Sequence, residues 1–228
     1  MIPIRDNQIR LRSPVVTWTI ILLNLVIFLW DRQWALFGHQ MVFADLTMRP
    51  QEVIGAITGG DRFPLVTVFT ALFLHAGWLH LLGNMLFLLV FGPGVEEALG
   101  SPRFALYYLF WGVVATATHI FVFPSSLVPA LGASGAIGGV LGCYFLLFPS
   151  NRVEIIVPLL FFIRTVVSAW FLLGLWFLWQ IGARQEGVAN WAHAGGFLAG
   201  MVTVLLLGGR GAVLGGRAGV LDPEFEAR

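Results

Sequence analysis

The chain has 228 residues, 58% of them hydrophobic and 11% charged, with a formal net charge of +1. A soluble domain carries about 25% charged residues, so this composition excludes an ordinary water-soluble enzyme, and the near-zero charge argues against nucleic acid as a partner. One cysteine, Cys143, excludes an intramolecular disulfide.

Taken in order, residues 1–14 form a polar arm with Arg5, Arg10 and Arg12. Val15 to Trp30 is the first apolar run, read as a retained anchor because no small-residue cleavage site follows it. A long mixed loop, residues 31–64, follows. A loop of this length is usually functional or partly structured, and amphipathic pieces at the membrane interface fit it. Leu65 to Leu74 leads to His75.

The second helix is expected from Trp78 to Ala98, with a kink or early end at Gly92-Pro93-Gly94. Glu96 reads as a tether at its exit and Glu97 as solvated. The third helix runs from Phe104 to Phe123, and the fourth from Ser134 to just before Pro149. Ile155 to Ile163 is apolar but short and holds Pro158, which predicts a re-entrant or interfacial piece. The fifth helix is expected from Val166 to Ile181. The polar loop Gly182 to Asn190 precedes the sixth, Trp191 to Leu207. The fold class is therefore an all-α polytopic membrane protein. Its membrane domain covers residues 15–208, and residues 209–228 form a flexible tail.

Six spans put both termini on one side. With that side inside, the inner segments hold nine arginines (5, 10, 12, 103, 152, 164, 210, 217 and 228) and the outer segments four (32, 49, 62 and 184). The positive-inside rule then favours N-in and C-in.

In this topology the second, fourth and sixth helices run in the same direction. Each carries its notable polar residues near its start: His80 and Asn84, then Ser134, then His193. All four fall within about three turns of the outer surface at about 1.5 Å per residue. Polar groups inside a span are costly and face the protein interior or a water-filled cavity. Glycines at small-xxx-small spacing flank Ser134 and His193, and such pairs let helix backbones approach closely. A serine becomes a nucleophile when a histidine takes its proton. Helix-start N–H groups and an Asn amide are suitable donors to an oxyanion.

Three stretches carry a resemblance: Gly132-Ala133-Ser134-Gly135, His80-Leu81-Leu82-Gly83-Asn84 and Ala192-His193-Ala194-Gly195-Gly196. In residues, order and helix placement they resemble the signature motifs of the rhomboid family of intramembrane serine proteases. His75 in Phe73-Leu74-His75-Ala76-Gly77-Trp78 and the run Phe91 to Glu96 match as well. The resemblance implies a six-helix bundle and a dyad of Ser134 and His193. It implies an oxyanion hole from Asn84, His80 and the Ser134 N–H, with supporting places for His75, Gly132, Gly135 and Gly196. It implies no cofactor and no metal. The implied partners are transmembrane segments of substrate proteins, cut near their outer ends, and the lipid bilayer. The oligomeric state is left open. The implied location is a bacterial-type plasma membrane.

Two departures stand out. Some relatives have Trp-Arg where this chain has Val66 and Thr67, which removes one anchor of the first loop. Some place an aromatic ring four residues after the serine, against the histidine. Here that position is Gly138, so another side chain must restrain His193. Two rival readings remain. One is a catalytically silent binder of membrane clients on the same scaffold. The other is a metal protein lined by His75, His80, His119 and His193, although no His-Glu-x-x-His pattern occurs.

Overall fold

The computed structural model describes residues 1–37, 40–158, 162–182 and 188–221. The 183–187 part of the polar loop, with Arg184, and the acidic end of the tail, residues 222–228, lie outside the described residues. So does the middle of the apolar segment Ile155 to Ile163.

The fold is largely helical and membrane-associated. Its elements in order are β1 (Ile2–Asp6), α1 (Val15–Asp31), α2 (Pro50–Ile57), α3 (Pro64–Thr70), α4 (Trp78–Leu99) and α5 (Ser101–Val122). Then come α6 (Ser134–Leu147), β2 (Arg152–Pro158), β3 (Phe162–Ser168), α7 (Ala169–Gly182), α8 (Asn190–Leu206), α9 (Gly209–Leu214) and α10 (Ala218–Leu221). Large apolar side chains such as Trp18, Leu22, Leu106 and Leu178 are exposed on the outside of the bundle. Such a surface suits lipid rather than water.

All six expected helices are present, and they differ in length. Among the described residues, α4 and α5 alone are long and apolar enough to cross a membrane. A third span arises if α8 and the segment Gly209–Arg217, bent by 72° from it, are taken together. At about 1.5 Å per residue, a 14-residue helix such as α6 or α7 covers about 21 Å, less than the roughly 30 Å of a hydrocarbon core. The reason is local. Leu127 to Leu131 stays non-helical before α6, and Val166 to Ser168 enters a strand before α7.

Beside the helices the chain carries one small sheet. Arg152–Pro158 and Phe162–Ser168 are antiparallel strands, and the arm adds β1 beside them in the order β1-β2-β3. The register pairs Ile2 with Ile156 and Arg5 with Glu154, where the two side chains form a salt bridge at 2.6 Å. On either side of residues 159–161, the segment read as re-entrant or interfacial thus lies in paired strands rich in β-branched residues, with Val153 and Ile155 turned into the core. Asp6 lies against the bundle, accepting hydrogen bonds from Tyr144 (2.7 Å) and Arg10 (2.8 Å). Burial pushes its carboxyl above the ordinary carboxylate range, against those two partners. The strand pair delivers α7: the Ala169 N–H donates to Asn151 O at 2.8 Å, and the Trp170 N–H to Pro149 O at 3.1 Å.

No break occurs at Pro93, which α4 contains without ending. The two glutamates beyond it are both buried, which corrects the solvated reading of Glu97. Its Oε2 accepts from the Arg12 N–H at 2.9 Å, and Arg217 donates to the carbonyls of Glu97 and Ala98. In the described part of the tail Leu214 and Leu221 are buried. Glu96 ties two helix starts together. Its carboxylate accepts from the N–H groups of Val16 and Thr17, the Thr17 hydroxyl and the Ser101 hydroxyl, all at 2.6–2.9 Å. A negative group at helix N-termini is stabilising. We expect Glu96→Ala to orphan these donors and lower the unfolding free energy by about 3 kcal/mol. Denaturant titration in detergent measures it, and an unchanged midpoint refutes it.

Without the Trp-Arg pair, the first loop is held by other residues. Arg32, over the ring of Phe28, pairs with Asp31 and donates to the carbonyls of His75 and Ala76. Asp31 accepts from the Phe43 N–H, and the Trp78 indole donates to Leu36 O.

Candidate active site

Ser134 opens α6 at the end of an extended approach. Met48 and Ala130 exchange backbone hydrogen bonds at 3.1 and 2.7 Å, and the Gly132 N–H donates to Ala71 O at 2.8 Å. These bonds fix the chain as it enters the turn. Gly132 has φ +118°, a conformation that glycine adopts without strain. A Cβ there would lie 2.7 Å from His80 Nε2 and 3.5 Å from Asn84 Nδ2. Its missing side chain therefore leaves the place that those two polar groups occupy.

His193 lies in the first turn of α8. Its Nε2 is 2.7 Å from Ser134 Oγ, and its Nδ1 is 2.8 Å from Gln180 Oε1 on α7. The Trp176 ring, one turn earlier on α7, lies 6.0 Å from the imidazole at an interplanar angle of 30°. The approach of α6 to α8 rests on glycines. A Cβ on Gly138 would sit 2.7 Å from His193 O. Cβ atoms on Gly196, Gly200 and Gly142 would meet the carbonyl oxygens of Gly135, Gly139 and Phe197. A Cβ on Gly135 would press on Ala115 at 2.7 Å. An aromatic ring at position 138 has no room here, because the backbone of α8 fills the space.

His80 and Asn84 share one face of α4. Asn84 Nδ2 donates to His75 Nε2 at 2.9 Å, and the rings of His75 and His80 are 5.1 Å apart. His75 itself is buried. A cavity of about 610 Å³ is lined by His80, Asn84, His119, Ser134 and His193 among others. A second cleft, of about 400 Å³ between α4 and α7, reaches the same Ser134 and His193.

The residues singled out from the sequence thus converge. Ser134 and His193 touch, His80 and Asn84 line the same cavity, and His75 holds Asn84. Among the described residues no three His, Cys, Asp or Glu side chains converge as metal ligands. Sequence reading missed Gln180 and Trp176. The available signal was one uncharged polar residue in the apolar run from Trp170 to Ile181. Chemically, a serine hydroxyl bonded to an imidazole, beside an amide donor and in a cavity, can perform acyl transfer.

Residues 62–210 match the Rhomboid domain family. The Rhomboid-like protein 11, chloroplastic, of Arabidopsis thaliana is 33% identical over 202 residues, which is 86% of this chain and 66% of that protein. The Rhomboid protease GluP of Bacillus subtilis (strain 168) is 35% identical over 144 residues, 62% of this chain and 26% of that protein. Rhomboid protein 1, mitochondrial, of Saccharomyces cerevisiae is 30% identical over 149 residues, 60% of this chain and 40% of that protein. The chain thus spans from about a quarter to about two thirds of the length of these relatives.

Proposed function

We propose that this chain, which belongs to the rhomboid family, is an intramembrane serine endopeptidase that cuts a substrate transmembrane segment near its outer end. The observation that carries this reading is the 2.7 Å contact between His193 Nε2 and Ser134 Oγ. In the proposed reaction Ser134 Oγ attacks the scissile carbonyl and its proton passes to His193 Nε2. The oxyanion accepts hydrogen bonds from the Ser134 N–H, Asn84 Nδ2 and His80, with His75 orienting the Asn84 amide. His193 then returns the proton to the departing amine. A water from the cavity, deprotonated by His193, releases the acyl group and regenerates Ser134.

Six membrane crossings, N-in and C-in, belong to this reading. So does a membrane domain over residues 15–208, with its site reached from the outer face. The arginine bias of nine against four supports the orientation. The proposed location is a bacterial-type plasma membrane. Relatives with chloroplast and mitochondrial names make cell fractionation the check on it.

The test is incubation of the reconstituted protein with a tagged single-span reporter carrying small, helix-destabilising residues at its outer end. We expect one cut near that end, unaffected by chelators and blocked by a fluorophosphonate. Reporter binding without cleavage or covalent labelling would establish the silent client binder instead. Cleavage lost to a chelator and restored by zinc would establish the metal reading. Within the reading, Asn84→Ala is expected to lower kcat about 100-fold, with KM little changed, in initial-rate measurements on the same reporter. A full-rate variant removes Asn84 from the oxyanion hole.

A further inference from the structure

We propose that Gln180 is a positioning residue for His193, fixing which ring nitrogen carries the proton and making the base depend on the placement of α7. The proposal rests on the reading of Ser134 and His193 as nucleophile and base. It concerns a residue outside the three motifs.

The geometry begins with the amide. Gln180 is buried, and its Nε2 donates to Trp176 O at 3.4 Å. That bond turns Oε1 toward His193, where it lies 2.8 Å from Nδ1. A carboxamide oxygen only accepts, so Nδ1 carries the hydrogen. The tautomer of a neutral imidazole is set by the bond its other nitrogen makes. Nε2 is then bare and faces Ser134 Oγ at 2.7 Å, ready to accept its proton. With the opposite tautomer, Nε2 would hold a hydrogen and no base would face the serine.

When the serine proton arrives, the ring becomes an imidazolium, and its Nδ1–H bond to Oε1 becomes charge-assisted and stronger. A neutral amide thus holds the ring in both states. Trp176 and Gln180 are four residues apart on α7, so they address the ring from one helical face. No side chain from α6 shares this task, because Gly138 lies against the α8 backbone. Both α7 side chains also line the cleft between α4 and α7. Among the described residues, the titratable groups acting on His193 are His80 of α4 and His119 of α5. Neither takes the Nδ1 position.

The test follows the pH dependence of fluorophosphonate labelling at Ser134 and of reporter cleavage, in wild type, Gln180→Glu and Gln180→Leu. In Gln180→Glu a carboxylate faces Nδ1 and holds the imidazolium, so the acid limb moves up by about 1 pH unit or more. In Gln180→Leu the acceptor is gone. The acid limb moves down and kcat falls about 10- to 100-fold, while KM stays within about twofold. A residue that only packs would lower thermal stability and leave both midpoints in place. A folded Gln180→Glu protein with an unmoved midpoint overturns the proposal.

A second measurement needs no variant at this position. Nitrogen-15 NMR of histidine-labelled wild type, with the His193 signals assigned by their absence in His193→Gln, should show Nδ1 protonated and Nε2 bare near neutral pH. A protonated Nε2 in the neutral ring overturns the proposal equally. Failure of the parent reading looks different: wild type does not label, or Ser134→Ala still does, and the positioning role falls with it.

Discussion

Ser134→Ala is expected to lower reporter cleavage by about 10⁴-fold or more and to abolish fluorophosphonate labelling. The size follows from the roles proposed. Without Oγ no acyl intermediate forms, and the remaining cavity can only bind the substrate and polarise its carbonyl. In other serine hydrolases that residual is small, and losing either member of the nucleophile–base pair costs about as much as losing both. His193→Ala should therefore match Ser134→Ala, and the double variant should be no worse than either alone. Product quantification over long incubations checks this, with reporter binding measured beside it to establish that the folded cavity survives. A fall of only about tenfold in Ser134→Ala would move the nucleophile to another residue. Losses that multiply in the double variant would mean that the two side chains do not act as one unit.

The second large effect concerns the seam between α6 and α8. We expect Gly196→Val and Gly200→Val each to destabilise the protein by about 3 kcal/mol or more and to cut cleavage at least about 100-fold. At Gly196 a Cβ meets the Gly135 carbonyl. At Gly200 it meets the Gly139 carbonyl and lies 2.8 Å from the Cys143 nitrogen. These obstacles are backbone, so rotamer changes give no relief and the helices must separate. Ser134 and His193 lie on opposite sides of that seam. A misplacement of about 1 Å in such a pair costs about 100-fold. Gly174→Ala is the control, because its nearest neighbour is a Phe145 ring carbon at an ordinary 3.6 Å. It should leave cleavage unchanged and unfolding within about 0.5 kcal/mol. Thermal unfolding in detergent, beside cleavage rates, separates these outcomes. Wild-type activity in Gly200→Val would show that the seam yields without disturbing the pair.

Much of this was legible in the sequence, for identifiable reasons. Apolar runs marked the six helices because lipid excludes most charges. The small-residue spacing marked the α6–α8 contact because no other residue permits it. Ser134, His193, His80 and Asn84 could be grouped because topology assigned them one depth. What stayed hidden depends on partners distant in the chain. Glu97 looked solvated because its neighbours in sequence are unremarkable, yet it is covered by Arg12 and by Arg217, 120 positions away. The strand pair was hidden because a short apolar stretch has no distinctive period. Ile155-Ile156-Val157 and Thr165-Val166-Val167, rich in β-branched residues, were the available sign. Gln180 was passed over because a neutral amide resembles interhelical glue until its partner is known. Its isolation among aromatic and aliphatic neighbours was the clue.

The strand pair has a mechanical consequence. It clamps the first residues of α7 to the end of α6 through Asn151 and Pro149, while Gln180 stands eleven residues further along the helix. At about 1.5 Å per residue, that is a lever arm of about 16 Å with its fulcrum at the sheet. A rocking of roughly 5° that swings this end of α7 directly away from the ring carries the Gln180 amide through about 1.4 Å, enough to lengthen a 2.8 Å hydrogen bond beyond its useful range. The same rotation hardly displaces Ala169. A tilt of one short helix in that direction would open the contact at the imidazole while leaving the sheet end of the helix in place.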